Sequence, residues 1–329
     1  MKNDYRDGMM GLVVGDALGC PVQFLRRTEI ERRGPVTGME GHGTYDMPAG
    51  TWTDDSSMAL AALASMAETG AVDPDDIMKR FVAWDREGEY TPFGYAFDQG
   101  GTCTEAIRNY MRTGDAASCG PRGEYSNGNG SLMRILPVCI AACHLQEKGG
   151  LDDKRAVGLV DSASALTHAH PRAKMACGIY WFMVREILRE VMVSETGLRK
   201  ADSESKETLV SCLQKGIDAA MNFYKEAGEW RHYRRLENLT AFGELGAEAI
   251  RGTGYVVESL EAAVWGLITS PDYRTALLKI VNLGDDTDSV AAIAGGLGGL
   301  YYGYDAIPAE WREVIVRREW IEELCKKGI

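Results

Sequence analysis

Apolar positions recur with the period of an α-helix along most of the chain, and strand patterns are weak. Alternating runs of β-branched residues, which are typical of strands, are absent. The polar stretches at residues 26–50 and 194–206 are predicted to be loops, and the first is long enough to be functional. The main predicted helices lie at residues 7–17, 55–69, 73–84, 172–193 and 207–227.

The pattern shows no linker, and it shows no internal repeat beyond the two acidic helix starts described below. A chain of 329 residues would by length alone suggest about two domains. Helices separated by short connections nevertheless dominate from end to end. We therefore predict an all-α protein in which residues 1–329 form a single domain.

Two acidic segments stand directly before helices that are rich in small residues. Residues 51–57 read Thr-Trp-Thr-Asp-Asp-Ser-Ser and precede an Ala-rich run. Residues 284–289 read Gly-Asp-Asp-Thr-Asp-Ser and precede a run of Ala and Gly that predicts close packing. One carboxylate at a helix start is ordinary capping, but several repel one another unless water or a cation lies between them.

If these two helices pack together, their acidic starts form one cluster. Oxygen ligands favour Mg²⁺, Mn²⁺ or Ca²⁺ over zinc, and so many carboxylates suit two divalent ions. The alternative for either segment is a capped helix start in contact with solvent. The converging residues would be Asp54, Asp55, Asp286 and Asp288, with Thr53 and Ser289 beside them.

Two further segments could contact a ligand. Residues 126–134 alternate Asn and Gly before an apolar helix, and such a turn can cradle phosphate oxygens or a ribose, although plain turns use the same residues. His168 and His170 lie at the junction of two predicted helices, where they cannot share one helix face. A purely structural histidine pair is the alternative there.

The composition of the chain limits the kinds of molecule that it could bind and the cellular compartment in which it could function. The net charge is −12 and no Lys/Arg-rich run occurs, which argues against nucleic acid as a partner. No apolar stretch reaches the roughly 18 residues of a membrane span, and residues 1–5 are not typical of a signal peptide. The eight cysteines form no C-x-x-C pair. We expect a cytoplasmic, reduced protein that does not act at a membrane.

Six short segments follow one another along the chain: 15–19 (Gly-Asp-Ala-Leu-Gly), 52–56 (Trp-Thr-Asp-Asp-Ser), 127–134 (Asn-Gly-Asn-Gly-Ser-Leu-Met-Arg), 167–168 (Thr-His), 254–256 (Gly-Tyr-Val) and 284–289 (Gly-Asp-Asp-Thr-Asp-Ser). In this order they resemble the ADP-ribosylglycohydrolase family. The resemblance implies an orthogonal multi-helix bundle with a binuclear Mg²⁺ or Mn²⁺ site whose ligands are the six residues of the two acidic segments named above. It also implies that Asp16 is a supporting group rather than a ligand.

The resemblance further implies a metal-dependent hydrolase that removes ADP-ribose from a modified protein or a small ADP-ribosyl substrate. Asp98 matches an acid with a catalytic role in the arginine-type enzymes. Gln23 stands where relatives commonly carry a catalytic Glu in the serine-type enzymes, and Gln cannot ionise, so arginine linkages are favoured. The residues expected to bind substrate are Asn127, Asn129, Gly130, Ser131, His168 and Tyr255.

Two other functions stay open at this point. One is a non-catalytic family member that binds ADP-ribose without turnover. The other is a binuclear metallohydrolase that acts on a phosphoester or another ADP-ribose-like substrate. We expect the chain to be a monomer under each of these hypotheses.

Overall fold

The structure is a computed structural model that describes residues 3–193 and 203–328. Within these residues the chain forms α-helices, short 3₁₀ turns and no β-strand, so the predicted all-α class is confirmed. The α-helices are α1 (Asp4–Gly19), α2 (Arg27–Arg33), α3 (Asp54–Thr69), α4 (Pro74–Glu87), α5 (Gly101–Thr113), α6 (Leu136–Glu147), α7 (Asp153–Ala165), α8 (Pro171–Val193), α9 (Ser203–Tyr224), α10 (Leu239–Gly243), α11 (Val256–Ile268), α12 (Tyr273–Val281), α13 (Thr287–Tyr302), α14 (Ala309–Arg312) and α15 (Arg318–Cys325).

The centre of the molecule is the pair α1 and α13, which approach each other backbone to backbone. A Cβ placed on Gly15 would lie 2.1 Å from the carbonyl oxygen of Ala291, and one on Gly11 would lie 2.2 Å from that of Gly295. Every residue of α13 is buried. The close packing predicted from the Ala/Gly run is therefore confirmed, and it carries the acidic start of α13 into the protein interior.

Most predicted helices agree with the structure within a few residues, but one prediction was wrong. Residues 26–50 are not a continuous loop, because α2 occupies their first part. Only Ile30 of α2 is buried, so the segment shows no apolar periodicity. Its start is instead fixed locally, where the Glu29 carboxylate accepts a hydrogen bond of 2.7 Å from the Arg26 amide. Much of the predicted loop at 194–206 lies outside the described residues.

Isolated β-bridges, rather than sheets, hold the connections around the centre of the fold. Arg26 pairs with Gly284, and Gly128 pairs with Tyr255. These bridges place the segment before α2 beside the start of α13, and the Asn/Gly turn beside the start of α11. All eight cysteines are buried, and none of them forms a disulfide bond. In the part of the chain that is described, no helix is long and apolar enough to cross a membrane.

Candidate metal and substrate site

The end of α1 supports the beginning of α3 through Asp16. The Asp16 carboxylate is fully buried and accepts hydrogen bonds of 3.0 Å from the backbone amides of Thr53 and Ser56. The Ser56 hydroxyl donates a further hydrogen bond of 2.5 Å. Burial raises the pKa of Asp16 to about 7, although these hydrogen bonds act in the opposite direction. Asp16 thus satisfies amides at the α3 N-terminus, where helices have unpaired donors.

The start of α3 presents two buried carboxylates. Thr53 is the N-cap residue, and its hydroxyl donates a hydrogen bond of 2.9 Å to Asp55 Oδ2. The other oxygen of Asp55, Oδ1, is buried and has no hydrogen-bond partner among the described residues. Burial raises the pKa of both Asp54 and Asp55 well above the usual value, and neighbouring carboxylates raise it further.

The start of α13 is held in a turn by its neighbours on two sides. Gly284 and Asp285 adopt left-handed conformations, with φ values of 80° and 65°. The Asp285 amide donates to the Leu25 carbonyl at 2.8 Å, and the Asp286 amide donates to the Gly252 carbonyl at 2.8 Å. These bonds fix the direction in which the Asp286 and Asp288 side chains leave the helix start.

The two acidic helix starts meet in the interior as the sequence predicts. Asp16, Asp55 and Asp288 can each offer a carboxylate oxygen, and these oxygens lie within 4.8 Å of one another. Both oxygens of Asp288 are buried without a hydrogen-bond partner among the described residues. Burial and the charges of the surrounding acids raise the pKa of Asp288 well above its usual value.

This donor set fits a divalent cation. Buried carboxylate oxygens are normally hydrogen-bonded, and an uncompensated one must either take up a proton or face a positive charge. An oxygen-only set of ligands is what Mg²⁺ and Mn²⁺ prefer. The buried aspartate trio could therefore hold a metal ion.

A cavity of about 480 Å³ opens beside the carboxylate cluster. None of the described residues that line it is a lysine or an arginine. Among the residues that the sequence singles out, its walls include Gln23, Asp54, Asp98, Asn129, Gly130, His168, Asp286 and Ser289.

The Asn/Gly turn lies against both the cavity and the metal cluster. The Asn129 amide donates to the Gly254 carbonyl at 3.0 Å, and the Val256 amide donates to the Asn127 carbonyl at 3.0 Å. The side-chain nitrogen of Asn129 donates to Asp286 Oδ2 at 2.6 Å. The turn is thus fixed to the start of α11 by its backbone and to the start of α13 by a side chain.

His168 is buried behind this turn and is held by a chain of hydrogen bonds. The Arg134 guanidinium donates to the Thr167 hydroxyl at 2.7 Å, and that hydroxyl lies 2.9 Å from His168 Nδ1. Arginine has no acceptor, so the Thr167 hydroxyl accepts from Arg134, and it can either donate to His168 Nδ1 or accept from it. Burial, together with the charge of Arg134, lowers the pKa of His168 to about 3. The imidazole is therefore neutral.

Asp98 and Gln23 stand on the cavity wall with one oxygen each unpartnered. Asp98 has a left-handed backbone, with φ of 61°, and its Oδ1 accepts a hydrogen bond from the Tyr45 hydroxyl. Gln23 Nε2 donates to Asp286 Oδ1 at 3.4 Å. Asp98 Oδ2 and Gln23 Oε1 are buried without a hydrogen-bond partner among the described residues. Burial raises the pKa of Asp98.

Other residues singled out by the sequence lie behind the cavity wall rather than on it. Thr53, Asp55 and Asp288 belong to the buried cluster, and Ser131 accepts a hydrogen bond of 2.9 Å from Ser164 inside the core. Tyr255 is half-buried, with the Arg172 guanidinium 6.0 Å from its ring centre. Asn127 donates to the Glu124 carbonyl at 2.7 Å.

The sequence interpretation missed several residues of the cavity wall. The start of α5 contributes residues 99–103, and the Gly-flanked break at 98–101 was the available signal for it. Phe24, Met133 and Thr253 carry no motif that marks them. Asp285 belongs to the acidic segment, but nothing in the sequence pattern distinguishes its role from those of its neighbours.

Comparisons with known proteins agree over nearly the whole chain. The family model described as ADP-ribosylglycohydrolase matches residues 1–328. The chain is 30% identical to the ADP-ribosylarginine hydrolase Tri1 of Serratia proteamaculans (strain 568), over 98% of this chain and 78% of that protein. It is 29% identical to the ADP-ribosyl-[dinitrogen reductase] glycohydrolase of Rhodospirillum rubrum, over 92% of this chain and 86% of that protein. A solved structure described as an ADP-ribosylglycohydrolase-related protein complex superposes with a TM-score of 0.75 and 31% identity, over 99% of this chain and 96% of that one.

Proposed function

The chain belongs to the ADP-ribosylglycohydrolase family, and we propose that it removes ADP-ribose from modified arginine side chains with the help of divalent metal ions. The family resemblance and the prediction of a hydrolase of this class are confirmed by the family match. The observation that carries the finer proposal is the pair of acidic helix starts, with their unpartnered buried oxygens, at the wall of a cavity that also contains Asp98.

We assign two Mg²⁺ or Mn²⁺ ions to the acidic helix starts. The ligands would be Asp54, Asp55, Asp286 and Asp288, with the hydroxyls of Thr53 and Ser289. When bound, such ions would compensate the buried negative charge, polarise the ribose hydroxyls and activate water. The side-chain amide of Asn129, which donates to Asp286, would keep that carboxylate oriented towards the cluster.

The cavity wall offers donors for the phosphates of ADP-ribose, although its described lining residues include no lysine or arginine. The first turn of α5 contains no acidic residue, and its N-terminal residues 101–103 line the cavity. A helix N-terminus with free amides favours anions. In the tautomer whose Nδ1 accepts from Thr167, the neutral His168 would add an Nε2–H donor, and Gly130 lies beside it on the same wall. We place the phosphates between these groups.

Asp98 is the group that we propose for proton transfer. Hydrolysis breaks the bond between the ribose anomeric carbon and the guanidine nitrogen, and forms a bond from that carbon to a water oxygen. Asp98 would accept the proton that the water loses and pass one to the leaving nitrogen, so that atoms and charge balance. The Tyr45 hydroxyl holds Asp98 Oδ1, which leaves Oδ2 for this exchange.

Gln23 supports an arginine linkage over a serine linkage. Its amide cannot act as a base, and its Nε2 donates to Asp286, so its contribution is to orient rather than to transfer protons. The name of the Serratia relative, which specifies ADP-ribosylarginine, supports the same linkage. We also propose that residues 1–329 act as one domain, as a monomer, in the cytoplasm, where the eight cysteines, which form no disulfide bond, remain reduced.

The proposal is tested by incubating the protein with peptides that carry ADP-ribose on arginine or on serine, with Mg²⁺ and with a chelator. We expect ADP-ribose to be released from the arginine peptide when Mg²⁺ is present, and not when the chelator is present. Binding of ADP-ribose without release from either peptide would identify a non-catalytic member. Release of phosphate from a simple phosphoester would identify a different metallohydrolase.

A further inference from the structure

We propose that Phe24 and Asp285 form a subsite for the guanidinium group of the substrate at the mouth of the cavity. Both residues line the cavity, and neither has a role in the assignments above. The inference rests on the proposed function, since it concerns the arginine side of the bond that is hydrolysed. It adds a selectivity element that is separate from the metal cluster and from Asp98.

Asp285 differs from the other carboxylates of the cavity by its exposure. Asp54 and Asp286 are buried, whereas Asp285 is exposed. The described residues provide its side chain with neither a hydrogen bond nor an ion pair, although its backbone amide and carbonyl are both paired. A carboxylate that is free at a cavity mouth can accept two parallel hydrogen bonds from a guanidinium group.

Phe24 adds an aromatic side chain to the same cavity lining as this carboxylate. Its side chain is 62% exposed, so the ring is accessible to a group that enters the cavity from solvent. The Phe24 amide donates a hydrogen bond of 2.6 Å to the Asp285 carbonyl, so the two residues are neighbours across paired segments. A guanidinium group stacks on an aromatic face and is attracted by it.

Both residues hold backbone conformations that favour glycine. Each has a φ of 65°, in the left-handed region. For a bulky aromatic residue this conformation is a genuine outlier, and side chains kept there at a cavity often serve a function. The Arg27 side chain fixes the paired segments, since it donates to the carbonyls of Leu283, Ala247 and Ile250.

Charge in the cavity agrees with a cationic group at this point. Among its described lining residues there is no lysine or arginine that would compete for Asp285. A phosphate would be repelled by Asp285, which argues that the ADP part of the substrate lies elsewhere in the cavity. An arginine side chain, in contrast, would gain both a carboxylate and a ring.

The test compares leaving groups of different charge. Asp285→Asn keeps a residue that tolerates the left-handed region, and Phe24→Leu removes the ring. The values of kcat/KM are measured at saturating Mg²⁺ for an ADP-ribosyl-arginine peptide and for an ADP-ribosyl conjugate whose leaving group is uncharged and activated, such as a nitrophenol. We expect each variant to lower the ratio of the first value to the second by about tenfold. Glu31→Gln is the matched control, because it removes one exposed charge from α2 outside the cavity, and it should leave the ratio unchanged.

A second measurement separates this subsite from the proposed function. Free arginine is titrated into the parent and into Asp285→Asn, each saturated with ADP-ribose, and its dissociation constant should rise about tenfold in the variant. If the parent hydrolyses the arginine peptide while both variants keep its kcat/KM ratio and Asp285→Asn keeps its affinity for arginine, the subsite alone is overturned. Failure of the parent to hydrolyse the arginine peptide at all would contradict the proposed function instead.

Discussion

The side-chain amide of Asn129 donates a hydrogen bond of 2.6 Å to Asp286, and so joins the Asn/Gly turn to the acidic start of α13. These residues are far apart in the chain, and each belongs to a different sequence motif. Their contact makes the Asn/Gly turn, which lines the cavity, and the carboxylate cluster parts of one site. A ligand that shifts the turn therefore changes the orientation of a proposed metal ligand.

Asp98→Asn should lower turnover of the arginine-linked substrate by about 10²–10⁴-fold, because an amide cannot accept the proton of the attacking water. Affinity for ADP-ribose should change little, since the shape of the side chain is kept. Single-turnover kinetics and calorimetric titration with ADP-ribose measure the two quantities. Turnover equal to that of the parent would remove Asp98 from the mechanism.

Gln23→Glu should add activity towards serine-linked ADP-ribose and change arginine-linked activity little. The new carboxylate would supply a base at a position where the amide can only orient Asp286. Rates with the two peptides are compared for parent and variant. The division of roles is wrong if the parent already hydrolyses the serine-linked substrate faster than the arginine-linked one.

His168 should make the free energy of unfolding depend on pH below 6.5, the pKa of a free histidine side chain. Burial lowers its pKa to about 3, against 6.5 for the free side chain, so between these values the unfolded chain takes up a proton that the folded chain does not. Its contribution is present above pH 6.5 and falls by up to about 1.4 kcal/mol for each pH unit below that. Urea unfolding between pH 7 and 5 should show a steeper loss for the parent than for His168→Asn. Equal slopes, or an imidazolium NMR signal from His168 at pH 6, would contradict the assignment.

Gly15→Ala should destabilise the fold by about 2 kcal/mol, because the added methyl group would press on the Ala291 carbonyl. Alanine raises helix propensity by only about 1 kcal/mol, which does not offset the clash. Gly158→Ala is the matched control, since Gly158 lies in α7 with open space around it and should be neutral or slightly stabilising. The two unfolding free energies are obtained from urea titrations. Equal stability of both variants would show that α1 and α13 separate without cost.

The sequence was informative where a residue's chemistry does not depend on distant contacts. The Ala/Gly run of α13 required close packing, and the acidic residues before α3 and α13 required a cation or solvent, so both predictions followed from local pattern. The start of α5 and Phe24 were missed because lining a cavity is a property of the packed fold. The helix α2 was missed because a short helix with one buried residue leaves no periodic signal.

The most direct test of the account is the metal dependence of arginine-linked hydrolysis. Protein freed of metal with a chelator is titrated with Mn²⁺ while the ions bound and the ADP-ribose released are both measured. We predict that activity appears as two ions bind per chain, and that Asp286→Ala and Asp54→Ala lose both binding and activity while keeping the helical circular dichroism signal. Asp305→Ala, which removes an exposed acid remote from the cavity, should behave like the parent. Full activity of the metal-free protein, or parent-like metal binding by both cluster variants, would contradict the account.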